Sequence, residues 1–285
     1  MAITRRRFFQ GAAHGIATLP LLKTFASTHQ PFQHGVASGD PLADRVILWT
    51  RITPDPDPGF QQAAVPYSWE IALDPQMNQV VRSGQGVTGP VTDYTVKVDA
   101  DELASGTAYY YRFNANGKIS PTGRTRTLPE GHLNRMRLAF CSCSNYPAGY
   151  FNVYREIAKR PELDAVLHLG DYIYEYGPGG FGTGSNLGRD PIPAKEITAL
   201  QDYRQRYAQY RTDPDLQEVH RQHPFICIWD DHESANDAWK GGAQNHNDGE
   251  GPWASRRNDA IQAYFESLRV IFPAACCVSA ALAAA

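Results

Sequence analysis

The chain has no surplus of positive charge. Its 285 residues carry 27 Lys and Arg against 30 Asp and Glu, a net charge of -3, and no basic block follows the extreme N-terminus. Binding to a nucleic-acid backbone needs a basic face, so a nucleic-acid-binding module is not expected. Long hydrophobic runs are also missing. The apolar stretch from Gly11 to Leu22 is broken by His14 and Pro20 and is too short for a stable membrane span. Cysteine is scarce and odd in number: Cys141, Cys143, Cys227, Cys276 and Cys277 give no clean disulfide framework. A disulfide between Cys141 and Cys143, only two residues apart, would be strained, and one of the two is a better candidate for a free thiolate. What is present is ordinary globular composition, 42% hydrophobic and 20% charged, which excludes a disordered chain.

The N-terminus reads as an address. Thr4-Arg5-Arg6-Arg7-Phe8-Phe9 precedes the weak apolar stretch, and Ala26-Ser27 offers small residues for cleavage. Paired arginines followed by Phe8 resemble a twin-arginine signal over residues 1–28. That route carries folded proteins and suits one that acquires its cofactor before export. The twin-arginine export machinery is thus an expected partner, and the expected location is periplasmic or secreted.

Two bodies follow. Residues 31–129 alternate with a β period at Arg45 to Thr50, Asp93 to Val98 and Tyr109 to Phe113, and Asn116-Gly117 is a strong hairpin signal. Short strands with regular turns predict an all-β sandwich of the fibronectin or immunoglobulin kind. Residues 134–268 alternate instead between apolar runs (Met136 to Phe140, Ala165 to Leu169, Phe225 to Trp229) and helical stretches (Gly149 to Lys159, Thr198 to Tyr210, Leu216 to Arg221). That order predicts an α/β domain, with short strands covered on both faces.

Each apolar run ends in residues able to bind metal. Cys141-Ser142-Cys143 follows the first, Asp171 with Tyr172, Tyr174 and Glu175 the second, and Asp230-Asp231-His232-Glu233 with Asn236 the third. In open α/β sheets, sites form at the carboxyl ends of strands, so these distant segments are expected to meet. Carboxylates and an amide oxygen suit hard cations, while thiolate and phenolate suit a redox-capable or zinc-like ion, which points to more than one metal. Such a cluster holds a phosphoryl group and activates water, and His232 can protonate the leaving oxygen or hold a phosphate oxygen.

Together these segments resemble the alkaline phosphatase D (PhoD) family. Phe32 to Pro41 (FQHGVASGDP) with Val46 to Arg51 (VILWTR) is similar to the opening of that family's N-terminal domain. Phe140 to Cys143, His168 to Glu175 and Trp229 to Glu233 are similar to its metal-site segments, and Gln201 to Arg204 with Tyr207 to Arg211 to the helix between the last two. The resemblance implies an α/β calcineurin-like metallophosphoesterase domain behind the all-β sandwich. It implies hydrolysis of phosphate mono- and diesters by a monomer, with Fe(3+) and Ca(2+) as cofactors. On this likeness Cys143 is the iron-bound thiolate, Asp171 the bridging carboxylate, Tyr174 the phenolate ligand and Asn236 a calcium- and phosphate-contacting amide. Asp231 serves as a further metal ligand, and Asp231 and His232 are the catalytic pair.

The family takes further ligands from downstream segments. Here residues 269–285 form an Ala-, Cys- and Ser-rich tail without ligand residues, which reads as an aberrant frame. The expectation is an incomplete phosphatase domain with an uncovered apolar face, low stability and weak or absent activity. An inactive, non-enzymatic remnant is the alternative.

Overall fold

The structure, a computed structural model, describes residues 29–56 and 64–268. The expected signal at 1–28 and the tail at 269–285 lie outside the described residues.

Two sheets form the frame. Strands β1 (Val36–Gly39) and β2 (Val46–Arg51) pair antiparallel, and β5 (Thr95–Ala100) pairs antiparallel with β2. A second sheet holds β3 (Val65–Ala72), β4 (Val80–Thr88), β6 (Ala108–Ala115), β7 (Lys118–Ile119) and β8 (Gly123–Arg126), all antiparallel. Val46, Leu48, Val96 and Val98 alternate inward from the first sheet and meet Ile71, Tyr109, Tyr111 and Phe113 from the second in one buried cluster. β6 shows the period-two burial of a strand with one face inward, while β2 is buried on both faces, Ile47 and Trp49 included. Asn116 (φ 52°) and Gly117 (φ 71°) make the two-residue turn between β6 and β7, with Ala115 opposite Lys118. Both positions take the left-handed region that such a turn requires.

The first sheet does not stop at the boundary between the two bodies. β1 pairs in parallel with β11 (Pro224–Cys227), Gly39 opposite Phe225, and β11 continues in parallel to β10 (Ala165–His168) and β9 (Leu138–Cys141). One six-stranded sheet, β5-β2-β1-β11-β10-β9, therefore runs through both. Side chains brace the join: Arg126 pairs with Asp164, Arg221 donates to the Thr122 carbonyl at 2.9 Å, and Arg211 donates to the His34 carbonyl at 3.3 Å.

Helices α1 (Asn152–Ala158), α2 (Leu200–Tyr210), α3 (Pro214–Gln222) and α4 (Trp253–Ser267) supply the rest. Val166 and Phe225 point from the parallel strands into a core shared with Tyr154, Tyr207, Val219 and Tyr264 of these helices. α3 begins cleanly because Asp213 accepts from the Asp215 and Leu216 amides (2.9 and 3.1 Å) and Pro214 follows it.

The expectation that the parallel strands are covered on both faces is corrected. Phe140, Leu167 and Ile226 stand side by side across β9, β10 and β11, on the face away from the helices. Phe140 is 62% exposed, Ile226 40% and Ile228 59%. Continuous apolar sequence was read as two-sided burial, but among the described residues only the helix side is packed.

Candidate metal centre

Three parallel strands end along one edge, and the loops leaving them carry the chemistry-bearing residues. The loops are stitched together by their backbones. The Cys143 amide donates to the Gly170 carbonyl at 3.1 Å, and the Ser144 amide to the Asp171 carbonyl at 2.9 Å. Gly170 (φ 101°) has no room for a side chain, since a Cβ there would lie 2.5 Å from the Asp230 Cβ and 2.6 Å from its nitrogen. Cys143 (φ 59°) and Asp171 (φ 53°) both occupy the left-handed region. Such strain in non-glycine residues clusters where side chains are aimed for function.

Asp171 is the centre of the cluster. Its Oδ2 accepts from Cys143 Sγ at 3.4 Å and from Tyr174 Oη at 3.2 Å. Its Oδ1 is buried without a hydrogen-bond partner. Asp171, Asp231 and His232 each offer a ligand atom, and these atoms lie within 4.8 Å of one another. The sequence reading placed Cys143, Asp171, Tyr174, Asp231 and His232 in one site, and the structure brings all five together. Asn236 borders it: its backbone amide donates to Glu175 at 2.8 Å, and its side-chain amide donates to Asp237 (3.2 Å) and Gln244 (2.9 Å). Cys141, Cys143 and Cys227 are all free thiols.

The charges here crowd one another. Burial lifts the Asp171 carboxyl above its usual range, partly offset by His232. Burial, then the negative charge of Asp171 and Cys143, pushes the Tyr174 phenol well up. His232 donates from Nδ1 to Glu175 at 2.8 Å. Burial pulls its pKa down, but the Glu175 hydrogen bond and the carboxylates of Glu175, Asp171 and Asp231 outweigh that and raise it. Its ring packs on Tyr174, with centroids 4.3 Å apart.

Two glutamates matter that the sequence reading named without giving them a role. Glu175, fully buried, binds His232, the Asn236 amide and Asn245 Nδ2. Burial acts to raise its pKa, yet those hydrogen bonds hold it below the ordinary value. Glu233, 2% exposed, takes backbone amides from both loops, and burial pushes it up to about 7 against their pull. The available signal was an acid placed directly after a ligand segment, which sequence alone does not separate from a solvated one.

A hollow of about 1040 Å³ opens beside the acidic segment, walled by Trp229, Asp231, Trp239, Lys97, Arg257 and Phe265. Cys143, Asp171 and Tyr174 are not part of its lining.

Residues 138–271 match the family described as PhoD-like phosphatase, and residues 17–129 match PhoD-like phosphatase, N-terminal domain. Alkaline phosphatase D of Bacillus subtilis (strain 168) is 42% identical over 281 residues, 93% of this chain and 48% of that protein. A solved structure titled Structure of PhoD superposes with a TM-score of 0.78 at 42% identity, covering 86% of this chain and 47% of the other. The chain thus spans about half the length of the relatives it matches. With both segments of one family present in order, and 42% identity carried along nearly all of its residues, the chain belongs to the PhoD-like phosphatase family.

Proposed function

We propose that this chain is an exported phosphoesterase acting on phosphate mono- and diesters through a two-metal centre. In this reading Cys143 and Tyr174 would hold ferric iron, Asp231 and Asn236 would hold calcium, and Asp171 would serve both. The observation that carries it is the convergence of Cys143 Sγ and Tyr174 Oη on one carboxylate oxygen of Asp171, whose other oxygen is buried and unbonded. Thiol, phenol and carboxyl groups forced together with one imidazole as the nearby base form a donor set that a multivalent cation would relieve. Bound there, the metals would supply a water nucleophilic at neutral pH and a polarised phosphoryl group.

The protein's own groups do the rest. Glu175 holds His232 by Nδ1, which leaves Nε2 to donate a proton to the leaving oxygen. The hydrogen bond to the Glu175 carboxylate favours the protonated form of His232. The Asp237 amide donates to the Asp231 carboxylate and fixes its direction. Arg5-Arg6-Arg7-Phe8-Phe9 supports twin-arginine export to the periplasm or beyond. Among the described residues no helix is long and apolar enough to cross a membrane. The two bodies are read as a fibronectin-like sandwich and a calcineurin-like metallophosphoesterase domain.

The test is hydrolysis of a chromogenic phosphate diester by the purified chain with iron and calcium supplied, beside Asp171→Asn. Turnover that falls on the order of a thousandfold in the variant is expected, because several kcal/mol of charge stabilisation go with the ligand. Equal rates in both proteins would refute the centre. A chain that binds no metal and turns over nothing favours the remnant reading.

A further inference from the structure

We propose that Glu233 is the positioning residue of this centre, the group that aims Asp171 by clamping the loop after β10 to the loop after β11. The inference rests on the metal-centre reading above. Glu233 Oε2 accepts from the Asp230 amide at 2.7 Å and from the Asp171 amide at 3.1 Å, and Oε1 accepts from the Tyr172 amide. One carboxylate therefore takes one amide from its own loop and two consecutive amides from the other. It is almost wholly buried, and among the described residues no arginine or lysine forms an ion pair with it. Its two carboxyl oxygens are held by backbone amides.

The backbone it grips is the strained one. Gly170 (φ 101°) and Asp171 (φ 53°) are both left-handed, a turn that directs successive amides into one concavity, and an anion is what such a concavity takes. The Glu233 carboxyl group fills it from within the chain. The same turn sends the Asp171 side chain toward Cys143 and Tyr174, so the carboxylate that fills the turn sets where the candidate bridging carboxylate lies. The Gly170–Asp230 approach, too close for a Cβ, lets the two loops come within reach of one side chain. Glu233 touches neither substrate nor metal in this account; it acts through Asp171.

The test titrates the full chain with ferric ion supplied as a citrate complex, reading the phenolate-to-iron absorption in the visible and the dissociation constant. Wild type is compared with Glu233→Gln, Asp171→Asn and Tyr174→Phe. Glu233→Gln keeps the size but turns amide hydrogens toward backbone donors. It is expected to weaken ferric binding about 10–100-fold, the range seen when a group supporting a metal ligand is lost, and to shift the absorption band. Glu233→Asp, charged but one methylene short, is expected to do the same to a smaller degree, and it decides the matter if the Gln variant does not fold. A Gln or Asp variant that unfolds more easily yet keeps the wild-type band and affinity overturns the proposal, while the metal centre stands. A wild-type chain with no band, unchanged by Asp171→Asn or Tyr174→Phe, overturns the centre and the proposal together.

Discussion

His34 is buried at 5% exposure, its Nδ1 3.0 Å from Thr53 Oγ1, with Arg51 and Arg211 nearby. Burial first, then those two positive charges, lowers its pKa to about 3. The folded protein therefore keeps His34 neutral, while the unfolded chain protonates it near the usual value of about 6.5. Above that pH the group costs nothing. As pH falls from there toward 3, the unfolded state binds a proton that the folded state refuses, and stability drops by up to ~1.4 kcal/mol per pH unit. Urea unfolding at pH 7, 5.5 and 4 measures this, with His34→Gln expected to show a shallower loss than wild type; parallel slopes would count against it. The candidate site residues Cys143, Asp171, Tyr174, Asp231 and His232 could be picked out in the sequence because chemistry follows residue type, and strand ends are where such sites form. Glu175 and Glu233 could not. A buried carboxylate is indistinguishable in sequence from an exposed one until its hydrogen-bond partners are known.

At the scale of elements, Arg206 on α2 shows how a helix holds a long connection. Its guanidinium donates to the carbonyls of Tyr174, Tyr176, Ile192, Pro193 and Lys195, spanning the segment that begins at the candidate phenolate. Arg206→Lys removes the planar fork and leaves several carbonyls unbonded. A loss of about 2–4 kcal/mol is expected, since a hydrogen bond to a charged group contributes roughly 1.5–3 kcal/mol. Hydrogen exchange should quicken between residues 174 and 196 in this variant and not in β2 or β5; uniform quickening would mean that the arginine braces the whole fold instead. The readable elements were those with a clean period: β2, β5, β6, β10, α2 and α3 lie where alternation or helical spacing put them. β4 was not read because its sequence, VVRSGQGVT, carries two glycines, and most of its residues are exposed or half-buried. α4 was missed because its buried side includes Arg256 and two alanines, which do not register as an apolar stripe.

At the scale of the molecule, the open face of β9, β10 and β11 is the main liability. Phe140, Leu167, Ile226 and Ile228 form an apolar surface that reaches β9, an edge of the sheet among the described residues. Exposed apolar patches beside an open edge bind other apolar surfaces. The purified chain is expected to bind a hydrophobic fluorescent dye in its folded state and to associate as concentration rises. The triple variant Phe140→Ser, Ile226→Thr, Ile228→Thr is expected to lower both, with little change in unfolding midpoint, because these side chains are already in water. Dye binding equal to wild type would place the responsible surface elsewhere.

The amino-acid pattern alone determined most of the strands and helices, β4 and α4 apart, and which residue types stand at the strand ends, since periodicity and chemistry are local. Only the tertiary structure decided that β1 pairs with β11, so that one sheet crosses both bodies. It alone also placed two buried glutamates, Glu175 and Glu233, beside the candidate site. Pairing partners, burial and backbone hydrogen bonds depend on residues far apart in the chain, and no local period encodes them.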